Sequence, residues 1–227
     1  MPATGAKVPI FYFLGESPGS SEDEEGEQFV GESGQIIRSR IPSQWKNHIR
    51  WNNTIRCHPT ANRDPEPQET ACCRRLQVAD IEQSKPEVLV GFGAVPLNWV
   101  LGTEKKGDTR KITPWRGRRM PVKIGSHTCW FYAIGHPAAL LHSRRSRMYD
   151  AHLHTFENDL RRVFSDYTAG LPSAEVVLPE DYYTGIRAIE EYTRTGFGEV
   201  ITALRWATKL EASTIDIETS ELQPYNT

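Results

Sequence analysis

The chain has 227 residues and a mass of 25.8 kDa, which leaves room for one domain with an appendage or for two small ones. Its composition, 38% hydrophobic and 25% charged, excludes a disordered or fibrous chain, and no apolar run approaches the ~18 residues of a membrane span. The net charge of −2 hides a division: residues 175–227 carry 10 acidic against 4 basic side chains, whereas 1–174 are net basic despite the acidic run Glu22-Asp23-Glu24-Glu25-Gly26-Glu27.

Met1 to Lys7 lacks the charged-then-apolar layout of a signal peptide, so a soluble, cytoplasmic chain is expected. Pro9 to Leu14 is a short aromatic-rich apolar run ended by Gly15, which predicts a buried strand. An acidic, Gly-rich loop follows, then a helix capped by Ser33 that runs through Ile36, Ile37 and Arg40 to Pro42. Ile49 to Arg56 predicts a second strand, and Arg63-Asp64-Pro65-Glu66-Pro67 a loop. From Pro67 a helix is expected, with Pro in its first turn and an approximate apolar stripe ending near Lys85-Pro86.

Val88 to Gly91 predicts the third strand, 94–101 a helix, and the basic stretch 103–119 an exposed loop. Met120 to Ile124 and Cys129 to Ile134 predict two strands around a Gly125-Ser126 turn, followed by a long helix from about Ser146 to Asp166. Strands alternate with helices, so the expected class is α/β: three α/β/α layers with a central, mostly parallel four-stranded sheet. Residues 1–168 form this domain, 169–174 a linker, and 175–227 the start of a second α/β unit.

In such sheets the working residues sit at the carboxyl ends of strands. Three polar clusters fall there: Gly15-Glu16-Ser17-Pro18-Gly19, Asn52-Asn53 and His136-Pro137. Cleaving a base from its sugar requires that the base be turned out of the stack, read at its polar edge, stacked on a flat face and stabilised as it leaves as an anion. Asn53 has the donor and acceptor that read the O4/N3 edge of uracil, Phe29 a stacking face, and His136 a donor for a developing oxyanion. The 15–19 turn offers backbone N–H groups and places Glu16 to orient a water. Each residue also has a plain reading: Asn53 as a turn former, Phe29 as core, His136 as a surface or capping residue.

The run Gly15-Glu16-Ser17-Pro18-Gly19-x-x-Glu22-Asp23-x-x-Gly26-x-x-Phe29-Val30-Gly31-x-Ser33-Gly34 resembles the first motif of the family 4 uracil-DNA glycosylases. Asn53-x-x-x-Cys57, Asn62-Arg63-x-Pro65, Glu69-x-x-x-Cys73, Lys85-Pro86, Arg116-Gly117 and His136-Pro137-Ala138-Ala139-Leu140-Leu141 follow in order, over about residues 9–165. The resemblance implies that Phe29 stacks on uracil, that Asn53 reads its edge, and that His136 stabilises charge at uracil O2. It implies that the first-motif turn, with Gly15, Glu16, Ser17 and Gly19, holds the base and the water. Leu140 or Leu141 would fill the vacated space in DNA. Arg144, Arg145 and Arg147, with Arg116 and Arg118 from the other basic run, would meet phosphates.

Two departures stand out. The family holds a [4Fe–4S] cluster on four cysteines; Cys57 and Cys73 match one pair, but residues 1–13 hold no cysteine, so no cluster and no required cofactor is expected. Ser17 stands where the family usually has Ala. In the tail, Thr214-Ile215-Asp216-Ile217-Glu218-Thr219-Ser220 resembles the first motif of the 3′–5′ exonuclease domain of family A DNA polymerases, where two carboxylates hold metal. This implies a glycosylase module at the N-terminus of a phage-type polymerase, in a bacterial or phage-infected cell. Asp216 and Glu218 would be half of a metal site and inert. The expected partners are uracil-containing DNA and polymerase domains in cis, with no membrane. The rival expectation is a non-catalytic module that grips template DNA.

Overall fold

The computed structural model describes residues 1–60, 63–103 and 110–174. Six strands form one sheet in the order β1-β3-β2-β4-β6-β5: β1 (Thr4–Gly5), β2 (Phe11–Gly15), β3 (Ile49–Asn53), β4 (Val88–Phe92), β5 (Arg119–Ile124) and β6 (His127–Ile134). The four central strands, β3-β2-β4-β6, are mutually parallel, as the alternating pattern predicts. Two antiparallel strands complete the edges. One of these, β1, is too short to carry a sequence signal and had not been anticipated.

Alternation along the strands builds two cores. Phe11, Phe13, Val88, Val90, Phe92, Trp130, Tyr132 and Ile134 point to one face, where they meet α2 (Glu32–Arg38), α5 (Ala138–Ser143) and α6 (Tyr149–Thr168) through residues such as Ile37, Leu140 and Phe156. Tyr12, Leu14, Leu89, Phe131 and Ala133 point to the other, against α3 (Pro67–Ser84) and α4 (Ala94–Leu101) through Ile81, Leu97 and Trp99. Strands covered on both faces are apolar nearly throughout, which is why β2 and β4 read as unbroken runs.

Two local expectations are corrected. The acidic segment is not loop throughout: α1 (Ser20–Glu25) forms with Glu22 and Asp23 in its first turn, where carboxylates favour the helix dipole, and Gly26 at φ +70° ends it. Strand β3 stops at Asn53 rather than Arg56, because the chain turns so that Thr54 N–H donates to Gly15 O (2.9 Å) and Thr54 Oγ1 donates to Glu16 O (2.5 Å). The segment after His136-Pro137 is a short helix, α5, capped at Pro137. The exonuclease-like Asp216 and Glu218, all of 175–227, and residues 104–109 of the basic stretch lie outside the described residues. Among the described residues no helix is long and apolar enough to cross a membrane.

Candidate active site

The carboxyl ends of β2, β3, β4 and β6 open into one cleft of about 540 Å³. From β2 the chain steps to β3 on one side, and from β3 it crosses back through α3 to β4 on the other side of β2; a crevice where the strand order reverses in this way is the usual ligand position in such sheets. Gly15, Glu16, Ser17, Gly19, Phe29, Asn53 and His136 all line it. Residues up to 121 positions apart in sequence thus share one recess, and each arrives by a different local device.

Phe29 sits on a turn with φ +58°, a left-handed conformation that costs a bulky residue energy and must be held from outside. Arg38 holds it: Nε donates to Phe29 O (2.9 Å) and Nη2 to Gln28 O (2.8 Å), while the guanidinium lies 4.5 Å over the Trp51 ring. Gly34 passes so close beneath that a Cβ there would lie 2.6 Å from Phe29 Cα. The Phe29 ring is buried against Trp51 and Phe92, at centroid distances of 5.1 and 6.0 Å.

Asn53 is 4% exposed and fixed at three points. Its N–H donates to Asn52 Oδ1 (2.9 Å), its C=O accepts from Gln77 Nε2 (2.9 Å), and its Nδ2 donates to Gln28 Oε1 (2.5 Å). Behind it runs a polar chain: Asn52 donates to Tyr12 Oη (2.7 Å), Tyr12 donates to Asp80 (2.8 Å), and Asp80 is forked by Arg50. Gly15 lets Asn53 and Phe29 come together: a Cβ on it would collide with Asn53 Oδ1 and come within 2.8 Å of Phe29 Cζ.

The 15–19 turn differs from its expected use at one end. The Gly19 N–H is not open to a ligand; it donates to Glu22 Oε2 (3.1 Å), and a Cβ there would stand 2.7 Å from that oxygen. The other oxygen of the buried Glu22 accepts from Gly31 N–H (2.8 Å), so one carboxylate ties the 15–19 turn to the Phe29 turn. Glu16 faces the cleft half-buried; loss of hydration, then the nearby Asp64 carboxylate, pushes it up to about 7.

His136 follows β6. Its Nδ1 accepts the Ala138 N–H (3.2 Å), so the proton of the neutral ring is on Nε2. Gly93, at φ +102°, lets the turn after β4 pack against the ring, where a Cβ would be 3.1 Å from Cδ2. Enclosure in the cleft brings the imidazole down to about 4, against the opposing pull of Asp64. At neutral pH it is an uncharged donor. Asp64 and His142 also line the cleft and were not singled out from the sequence.

Residues 2–161 match the uracil DNA glycosylase superfamily. The chain belongs to that superfamily. It is 27% identical to the type-4 uracil-DNA glycosylase of Archaeoglobus fulgidus over 174 residues, 72% of this chain and 79% of that protein. It is 30% identical to the type-4 enzyme of Thermotoga maritima over 138 residues, 60% and 68% of the two chains, and 32% identical to that of Pyrobaculum aerophilum over 149 residues, 62% and 72%.

Within this superfamily member, two expected DNA contacts are repositioned. Leu140 is 4% exposed and packs in the core under α5, whereas its half-buried neighbour Leu141 lies nearer the surface. Arg116 is half-buried and spends its Nε on Asp159 of α6 (2.8 Å), which makes it a brace for the loop. Arg118, Arg145 and Arg147 are exposed, as is Arg144, which stands 3.7 Å from Glu32.

The iron–sulfur ligand set is incomplete among the described residues. Cys57 and Cys72 are exposed, Cys73 is half-buried, and Cys129 lies in the core, where burial raises its thiol to about 12 and disfavours the thiolate a metal needs. The neighbouring His58 has its Nδ1 2.9 Å from Pro18 O. No group of three or more His, Cys, Asp or Glu side chains among the described residues is placed to hold a metal ion. The residues present do not fit a four-thiolate cluster.

Proposed function

We propose that this chain hydrolyses the N-glycosidic bond of deoxyuridine in DNA. The observation that carries the reading is the convergence of Phe29, Asn53, His136 and Glu16 on one cleft. The extruded uracil stacks on Phe29, and Asn53 pairs with its O4/N3–H edge. As the C1′–N1 bond breaks, its electron pair passes into the uracil ring and charge gathers on O2. The Nε2–H of His136 donates to that oxygen. A neutral imidazole suits this role, since it stabilises the anion without transferring a proton to it. Glu16, ionised above about pH 7, orients a water and accepts its proton as the water oxygen bonds to C1′. The products are free uracil and an abasic deoxyribose.

Support for the reading also comes from type-4 uracil-DNA glycosylases that align over 72% and 60% of this chain. On the DNA side, Leu141 fills the space left by the base while Arg118, Arg144, Arg145 and Arg147 meet phosphates; these contacts position the duplex and make binding salt-dependent. A polymerase module in cis rests solely on the Asp216-x-Glu218 pattern, outside the matched residues.

The test is a uracil-containing oligonucleotide, treated with the protein and then with alkali. Strand scission at the uracil position is expected, and His136→Ala should remove it while leaving DNA binding. A wild-type protein that binds this DNA and makes no abasic site is instead the gripping module.

A further inference from the structure

Asn53 is held through its N–H, C=O and Nδ2 by Asn52, Gln77 and Gln28, and the bond to Gln28 has a direction. An asparagine amide presents a donor and an acceptor side by side, and half a turn about its last bond exchanges them. Uracil offers an acceptor at O4 and a donor at N3; cytosine offers a donor at N4 and an acceptor at N3. One orientation of Asn53 therefore suits uracil and the other suits cytosine. Both have the same shape, so the cleft's walls cannot choose between them.

Gln28 makes the choice. It is fully buried between Asn53 and the N-terminal segment, and its Nε2 donates to the carbonyl of Pro2 (3.1 Å). A carbonyl oxygen only accepts, so Gln28 must turn its NH₂ toward Pro2 and its oxygen toward Asn53. That oxygen in turn accepts only from Nδ2. The Gln28 backbone is fixed as well: its N–H donates to Thr4 Oγ1 (3.4 Å) and its C=O accepts from Arg38 (2.8 Å). The polarity of Pro2 is thus passed through two amides to the cleft.

We propose that Gln28 is a positioning residue that fixes the orientation of the Asn53 amide and so sets the cleft to take uracil and refuse cytosine. This rests on the glycosylase reading given above. Turning Asn53 over to meet cytosine would place its Oδ1 against Gln28 Oε1, two acceptors across the 2.5 Å now spanned by a hydrogen bond. The penalty falls on the wrong base alone, which is how a repulsive element creates specificity.

The experiment uses the full chain and measures how strongly free uracil and free cytosine inhibit excision from a uracil-containing oligonucleotide. In the wild type uracil inhibits and cytosine does so much more weakly. In Gln28→Leu the preference for uracil over cytosine falls about tenfold, the weight of one oriented hydrogen bond. Gln28→Met, unbranched and able to follow the same path, carries the same expectation should the leucine variant not fold. Gln28→Glu, which takes up a proton when buried, donates O–H to Pro2 and accepts from Asn53, and so retains the preference. If the leucine and methionine variants melt earlier but keep the wild-type ratio, Gln28 is merely structural and the proposal is overturned. Loss of preference in Gln28→Glu as complete as in Gln28→Leu overturns it too. A wild type that excises no uracil defeats the reading of the reaction instead, before any variant is compared.

Discussion

Asp64, on the loop after β3, raises the proton affinity of Glu16 across the cleft. Burial is the larger cause and Asp64 the second; together they bring Glu16 to about 7. A carboxylate that must be ionised to accept a proton from water gives a rate that climbs as pH passes through that value. Asp64→Asn removes the repulsion, so the climb moves to lower pH. Single-turnover excision followed from pH 5 to 9 checks both; a profile that Asp64→Asn leaves in place rules out Glu16 as the titrating group.

The same shift has a consequence for stability. Glu16 keeps its proton to higher pH when folded than when unfolded, so its contribution is fully present below about pH 4.5 and is lost as pH rises through about 7. Glu16→Gln should therefore stabilise the fold at pH 8, by on the order of 1–2 kcal/mol after allowance for partial solvent screening, while excision falls. His136 works in the opposite sense: its depressed value gives stability above about pH 6.5 that is lost as pH falls through about 4. Thermal melts of the two variants across pH separate the contributions.

In the proposed mechanism His136→Ala removes the donor to uracil O2. Loss of one such donor typically slows the chemical step about 10²–10³-fold. DNA affinity should change little, because phosphate contacts supply most of it. Rapid-quench excision and a filter-binding titration on the same preparation give the two quantities.

Gly15→Ala is the smallest change that should disable the cleft. The added methyl meets Asn53 Oδ1 and Phe29 Cζ, both held from behind, so neither can yield cheaply. Overpacking of this kind costs about 1–3 kcal/mol, and the displaced reader should lower excision by more than the melting shift accounts for. An active Gly15→Ala enzyme would show that Asn53 and Phe29 need not be so close.

The two adjacent leucines should separate cleanly. Leu140→Ala empties a core position and should cost about 2–5 kcal/mol in a denaturant titration. Leu141→Ala should leave stability nearly unchanged and slow excision from duplex more than from single-stranded DNA, since only a duplex leaves a gap to be filled.

Much of this molecule is written in short-range pattern. The unbroken apolar runs of β2 and β4, short and bounded by glycine, are the pattern of strands covered on both faces, and Pro67 with Lys85-Pro86 brackets α3 within a residue. The ordered motifs around Gly15, Phe29, Asn53 and His136 name the residues of the cleft because each lies at a strand end or in the turn beside it, a place that chain order alone predicts. What sequence could not supply is which polar atom faces which. Gln28 meets Asn53 across 25 positions, Glu22 joins two turns, Arg116 pairs with Asp159 across 43, and Leu140 turns inward where Leu141 does not. Periodicity reports burial along one element, whereas hydrogen-bond direction and charge pairing arise only when separate elements are brought together. The cast of the cleft was therefore set by the chain, and the orientation of its amides, acids and donors by tertiary packing.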